Sequence, residues 1–344
     1  VVAGPARVPG LADAVVTLAD ALGWPVLSDP ISGLRAGDHD TSAVVGSDLI
    51  AVGGLLDQLA PQAVIRVGAP PTSKALRHWL ATTAVPQAVV GPSGWPDPDS
   101  SASLVIRADA PPTLVRLAQR VGASDPGWHR RWVDADRSAR AAADQVIDAV
   151  GTVSEPAVAR SLAAVPNSTA IWTGSSMPIR DVDSFFPVTT GSIGLFGNRG
   201  ANGIDGFAST ALGSAASGRP TVAHLGDVSM LHDVGALATA VRLDLPITFV
   251  VVNNDGGGIF HFLPQAGHEH FERHFGTPHG LRFCDVAGGF GLDAVAVDSI
   301  DELTAAVGQT ATGPKLVEVI TDRHANVALH EEITTRVQAA LGEI

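Results

Sequence analysis

Two hard oxygen donors, the carboxylate of Asp227 and the amide of Asn254, stand 27 positions apart, each just past an apolar run rich in β-branched residues. Gly226-Asp227 makes a tight turn after Thr221 to Leu225, and Asn253-Asn254-Asp255-Gly256-Gly257-Gly258 follows Ile247 to Val252. As parallel strands, the two runs end at one sheet edge, where the following helices offer unpaired N–H groups. A carboxylate and an amide oxygen converging there suit Mg²⁺, which takes one or two such protein ligands and completes its octahedron with phosphate and water. The pair predicts a site for a metal-bound diphosphate. Alone, Gly-Asp would be a helix cap and Asn-Asn a loop; their joint occurrence at this spacing, after two strands, separates them from that background.

Positioning such a pair takes a parallel sheet, and the chain alternates accordingly. Val26 to Ser28, Ala63 to Val67, Gln87 to Val90 and Leu104 to Ile106 read as short buried strands. They are interleaved with helical periodicity at Leu11 to Leu22, Ser47 to Leu59, Thr72 to Ala81 and Pro111 to Val121. The chain turns polar between Gly122 and Trp128 and continues as a charged helix from His129 to Val150. A second set begins at Glu155 to Ala164 and supplies strands at Ala170 to Thr173, Val188 to Thr190, Thr221 to Leu225, Ile247 to Val252 and Leu316 to Ile320. The expectation is α/β with two three-layer parallel-sheet domains: residues 1–125, a linker helix over 126–152, and residues 153–344. The Ala-, Gly- and Ser-rich helix from Ser209 to Ser217 must pack closely against a neighbour. No short repeat marks a solenoid.

Charge and composition narrow the class. Charged residues are 17% of the chain against 45% hydrophobic, which argues for large buried sheets rather than disorder. A net charge of −13, with no basic run longer than Arg130-Arg131, argues against nucleic acid. The apolar runs fall short of the roughly 20 residues that span a bilayer, and no signal-peptide pattern opens the chain. Lone Cys284 cannot form an internal disulfide, which fits a cytoplasmic setting.

Gly226-Asp227 followed at this distance by Asn253-Asn254 resembles the signature of the thiamine-diphosphate-dependent enzymes. The third residue of that signature, usually Gly, is Val228 here, and Ser229 follows. Gly-Asp-hydrophobic-Ser is similar to the SEPHCHC synthase family of menaquinone biosynthesis. SEPHCHC is 2-succinyl-5-enolpyruvyl-6-hydroxy-3-cyclohexene-1-carboxylate. The resemblance implies Asp227, Asn254 and the Gly256 carbonyl as ligands of Mg²⁺ or Mn²⁺, and Gly226 and Ser229 at the diphosphate. It implies Ile259 beneath the cofactor and Phe260 beside the substrate, although periodicity alone would place both in the core of a helix. Gly174-Ser175-Ser176-Met177-Pro178-Ile179-Arg180-Asp181 and Gly197 to Gly206 are also similar to passages of that family, and imply Ser176, Arg180 and Arg199 at substrate carboxylates. Guanidinium forks pair bidentately with carboxylates, and a dicarboxylate donor and acceptor would need such pairs. Without the resemblance, Ser176 and Arg180 are a helix cap with a surface charge. Lys74, at a strand-to-helix turn, is a further candidate substrate contact or a solvated lysine.

The implied reaction is decarboxylation of 2-oxoglutarate with addition of the succinyl unit to isochorismate, a transferase activity of a homodimer. The residues 1–125 are then the family's central Rossmann-like domain and 153–344 its diphosphate-binding domain. The family's activating Glu lies in an amino-terminal pyrimidine-binding domain that this sequence does not contain, so the chain alone is expected to be inactive. Alternatives are a carboligase or decarboxylase of the acetolactate-synthase type, and a non-catalytic cofactor- or effector-binding module. The dinucleotide version of that module lacks a GxGxxG: Val67-Gly68-Ala69-Pro70-Pro71 is the nearest loop. His270 and His274 have the i, i+4 spacing of a zinc pair but no HExxH and no Cys partner; His274 to Gly280 resembles the family's segment after the cofactor loop, which implies a lid or pocket rim.

Overall fold

A computed structural model describes residues 1–344 except Ser124, Ala201, Asn202 and Ile344, and except the side chain of Pro126. It falls into two compact units. The first comprises Val1–Gln145, Pro187–Gly191 and Ile333–Ile344, and the second Val146–Phe186 and Ser192–Glu332.

In the first unit, β1 (Val2–Ala3), β2 (Val26–Ser28), β4 (Val44–Gly46), β5 (Val64–Val67), β6 (Gln87–Val90) and β7 (Leu104–Ile106) form a six-stranded parallel sheet in the order β4-β2-β1-β5-β6-β7. Its core joins Val1, Ala3, Val26 and Val67 to Val15, Leu18 and Leu114 of the flanking helices. A separate two-stranded parallel pair, β3 (Ala36–Gly37) with β9 (Thr189–Thr190), adds a piece from much later in the chain.

The second unit has β8 (Ala170–Thr173), β10 (Gly194–Phe196), β11 (Thr221–Gly226), β12 (Ile247–Asn253), β13 (Asp293–Val297) and β14 (Lys315–Ile320) in the order β10-β8-β11-β12-β14-β13, again all parallel. All seven residues of β12 are buried, because helices cover both faces of a parallel sheet and the strand must be apolar throughout. The helix Phe207–Ala216 lays Ala208, Ala211 and Ala215 against Ala223, Leu225 and Phe249. Small side chains let that helix approach, as its composition requires. No described helix is long and apolar enough to cross a membrane.

The structure corrects four sequence expectations. The run at Val188 to Thr190 does not join the second sheet: Thr189 N–H donates to Arg35 O at 3.0 Å, so β9 belongs to the first unit. The helix expected over Ser47 to Leu59 is only Asp48–Val52, ended by Gly53 and by Gly54 at φ 77°. The three-residue β10 was too short to stand out. The edge strand β13, Asp293–Val297, exposes four of its five residues although Ala294 to Val297 are apolar, and it too was not among the expected strands.

Candidate cofactor and metal site

Parallel register brings four loops of the second unit to one sheet edge. Phe196 aligns with Trp172, Thr173 with His224, and Gly226 with Val252, so the chain leaves β10, β8, β11 and β12 at the same end. Asp227 is the first residue past β11 and is 2% exposed. One oxygen, Oδ1, accepts from Val228 N at 2.6 Å. The other, Oδ2, accepts from Asn254 N at 3.1 Å and Gly256 N at 2.8 Å, and lies 3.2 Å from His279 Nε2. Burial raises its pKa, and the bonds from Gly256, Val228 and His279 oppose that rise. A carboxylate buried among donors is held in readiness for positive charge.

Asn254 supplies the second oxygen. Its Nδ2 donates to Glu155 Oε1 at 2.8 Å, which fixes the amide and turns Oδ1 away, buried and without a hydrogen-bond partner. Buried polar atoms are paired as a rule, so this orphan acceptor needs an explanation. Gly256 has φ 134°, and a Cβ there would overlap the Gly276 carbonyl. A Cβ on Gly258 would come within 2.5 Å of Asn254 Nδ2. The glycines are thus required for the loop to close beside Asn254. Gly226 is different: its φ is −80° and an added Cβ would meet only Val252 O at 4.0 Å. The chain itself does not demand glycine there. Asp227, Asn254 Oδ1 and a backbone carbonyl of this loop fit a hard cation such as Mg²⁺.

Ser229 is 4% exposed in the short helix Asp227–His232. Ile259 and Phe260 lie in the 3₁₀ turn Gly258–Phe262 rather than a longer helix, and both are partly exposed. Phe260 meets Phe275 edge-on at 5.5 Å. Ser176 caps the helix Met177–Phe185, and Arg180 bends back so that Nη1 donates to Ser176 O at 2.6 Å and Ser175 O at 3.2 Å. Ser175 Oγ donates to Asn198 O at 2.5 Å, which joins this loop to the one carrying Arg199. Arg180 and Arg199 therefore arrive on linked loops. Part of the Arg199 passage, Ala201 and Asn202, lies outside the described residues. Lys74 stands apart in the first unit, exposed at the start of the helix Lys74–Thr82.

Comparison with known proteins bears on this geometry. Residues 170–319 match the model of the carboxyl-terminal TPP-binding domain of thiamine pyrophosphate enzymes. Over those residues the chain is similar to the thiamine-diphosphate-dependent enzymes. Among curated relatives, SEPHCHC synthase of Rubrobacter xylanophilus is 41% identical over 97% of this chain and 59% of its own length. The synthases of Chloroflexus aurantiacus and Listeria innocua are 37% and 36% identical, over 100% and 99% of this chain and 60% of their own lengths. The chain thus spans about three fifths of these relatives. A solved thiamin diphosphate-dependent enzyme from Mycobacterium smegmatis shares the fold, with TM-score 0.60, 21% identity, and coverage of 91% of this chain and 59% of that one.

Three further residues beside Asp227 and Asn254 escaped sequence reasoning. Glu155, 3% exposed, orients Asn254 and also accepts from Thr321 Oγ1 at 3.0 Å; burial, then the charge of Asp181, pushes it up to about 7. His279 had been placed only on a pocket rim. Its Nδ1 accepts from Leu281 N at 3.0 Å, so Nε2 carries the proton and donates to Asp227. Glu318 accepts from Asn253 Nδ2 at 2.7 Å and from Phe283 N and Cys284 N at 2.9 and 3.0 Å, which anchors the end of β12. His279 carries a local sequence signal in the Thr-Pro-His-Gly turn, and Glu318 one as a lone charge in an apolar run; Glu155 carries none.

Proposed function

We propose that this chain supplies the diphosphate- and metal-binding half of a SEPHCHC synthase, which joins the succinyl unit of 2-oxoglutarate to isochorismate with loss of CO₂. The observation that carries the reading is Asn254 Oδ1, buried and unpartnered, on a residue whose backbone N–H donates to the Asp227 carboxylate. In this reading Asp227, Asn254 Oδ1 and the Gly256 carbonyl hold Mg²⁺ or Mn²⁺. Ser229 donates to the diphosphate, and Gly226, where the chain imposes no glycine, leaves room for it. Thiamine diphosphate, when bound, supplies the electron sink for carbon–carbon cleavage and formation.

The protein's own groups orient and exclude. Ile259 supports the cofactor from below, and Phe260 and Phe275 keep water from the substrate side. Arg180, Arg199 and Ser176 receive substrate carboxylates; Arg180, now bonded to two carbonyls, exchanges them for a carboxylate. Lys74 is assigned a lesser part in substrate binding. Residues 1–125 correspond to the family's central domain, 126–152 to a linker helix and 153–344 to the cofactor domain. The pyrimidine-binding half and its activating Glu are assigned to the remainder of the relatives' length, in a cytoplasmic homodimer where the halves meet. Curated relatives with 35–41% identity carry the name of the product, 2-succinyl-5-enolpyruvyl-6-hydroxy-3-cyclohexene-1-carboxylate, which supports the reading.

Calorimetry of the chain with thiamine diphosphate and Mg²⁺ tests the metal assignment. Asp227→Ala should weaken binding by about 100-fold or more, because it removes the charged ligand. Wild-type affinity in that variant sinks the assignment. With the full-length protein, 2-oxoglutarate should be turned over in preference to pyruvate; preference for pyruvate overturns the substrate.

A further inference from the structure

His261 has no part in the cofactor reading. It is buried, with its side chain 4% exposed, yet neither ring nitrogen has a hydrogen-bond partner. An imidazole packed edge-on against Phe271 at 4.6 Å has lost its water and kept only a poorly aligned contact with the Gly257 backbone in exchange. What it faces is a carboxylate and a second imidazole. Its Nε2 lies 3.7 Å from Glu272 Oε1, and its ring centroid lies 4.9 Å from that of His324 at an interplanar angle of 88°. One ligand atom from each of the three residues falls within 4.8 Å of the other two.

We propose that His261, Glu272 and His324 form a binding site for a divalent transition metal of the zinc class. Two imidazoles and one carboxylate, with the fourth position open to water, is a three-ligand tetrahedral set. Nitrogen donors favour zinc and its neighbours over Mg²⁺, which prefers oxygen. The site is therefore chemically distinct from the all-oxygen set of Asp227, Asn254 and Gly256. Zinc bonds of about 2.0–2.1 Å put tetrahedral ligand atoms roughly 3.3 Å apart, so the three must close by up to about an ångström and a half. His261 is the buried member, while Glu272 and His324 are exposed. Burial, then the charges of Arg323 and His324, holds His261 below the ordinary imidazole range, which keeps its lone pair available. Arg323 Nη2 bonds Glu272 Oε2 at 3.2 Å and leaves Oε1 facing the cluster. Its charge opposes the metal, and that ion pair offsets part of the opposition.

The site ties together three segments. His261 lies in the 3₁₀ turn that carries Ile259 and Phe260. Glu272 opens the π-helical turn Glu272–Gly276, whose Gly276 O accepts from Gly257 N at 2.7 Å. His324 begins the helix Arg323–Leu341. A bound metal clamps the wall of the glycine loop to that helix. The i, i+4 pair His270 and His274 is not involved; its ring centroids are 6.3 Å apart.

The test is calorimetry of chelator-treated chain with Zn²⁺ in excess Mg²⁺, with visible absorption of Co²⁺ as a second probe. One Zn²⁺ per chain is expected, with the four-coordinate Co²⁺ spectrum. His261→Ala, Glu272→Gln and His324→Ala should each weaken it about 100-fold or more, since removing even an outer-shell partner costs 10–100-fold. Asp227→Ala and the double variant His270→Ala, His274→Ala should bind Zn²⁺ as wild type does, which separates this site from the cofactor metal and from surface histidines. His324 is exposed, so its variant folds even if His261→Ala does not, and circular dichroism without metal verifies this. Undiminished Zn²⁺ binding in His324→Ala, loss only in the His270/His274 variant, or no wild-type binding in excess Mg²⁺ overturns the proposal.

Discussion

Asn254 shows how one amide serves two masters of opposite polarity. Its nitrogen is committed to Glu155, and its oxygen is left buried without a partner. Glu155 acts through Asn254, so its role is positioning. Glu155→Leu should lower Mg²⁺-dependent cofactor affinity about 10-fold or more, whereas Glu155→Gln, which keeps an acceptor, should restore it to within a few-fold. Titration calorimetry at fixed Mg²⁺ reads both, and equal losses in the two variants would show that the carboxylate charge, not the orientation, matters. Neither partner could have found the other in the sequence, since they lie 99 positions apart. Asp227 and Asn254, by contrast, were legible because each follows its own strand directly, and strand ends of a parallel sheet share an edge.

At the scale of elements, the strand ends are held by side chains of neighbouring strands. Glu318 on β14 is fully buried, and burial works against its ionisation, but the bonds from Asn253, Phe283 and Cys284 outweigh that and leave its pKa lowered. Glu318→Ala strands three donors in the interior. About 2–4 kcal/mol of stability should be lost, measurable by urea unfolding, because each unsatisfied buried group costs about 1–3 kcal/mol and partial rehydration recovers some of it. A loss below 1 kcal/mol, on the same scale, would mean that water reaches the site. The fully buried strands β11 and β12 are readable from long apolar runs, whereas β13 offers only Ala294 to Val297, too short a run to separate strand from helix. Glu318 itself reads as a lone charge in an apolar run, a signal of a buried partner but not of which one.

For the molecule as a whole, stability is tied to pH through buried groups. His224, central in β11 and fully desolvated, has its pKa lowered to about 3 from 6.5. The unfolded chain takes up that proton first, so the contribution is intact above pH 6.5 and is lost as pH falls toward 3. Glu155 works in the opposite sense: raised to about 7, it stabilises below its unfolded value of 4.5 and loses that effect as pH rises through 7. Comparing wild type with His224→Gln isolates the histidine. Between pH 6.5 and 5, wild type should lose about 2 kcal/mol more than the variant, from 1.36 kcal/mol per pH unit. Parallel slopes in denaturant melts would contradict it.

The pairing of β3 with β9 has a consequence for synthesis. The first unit is assembled from three pieces of chain, and the last of them, residues 333–344, sets Gln338 Nε2 on Val52 O at 3.1 Å. Domains of a growing chain usually fold in order of emergence. Here the earlier-made unit must wait for later-made segments, with β3 unpaired until Thr189 has left the ribosome and Val52 unmet until Gln338 has followed. The nascent first unit is therefore the stage at which a chaperone has most to protect.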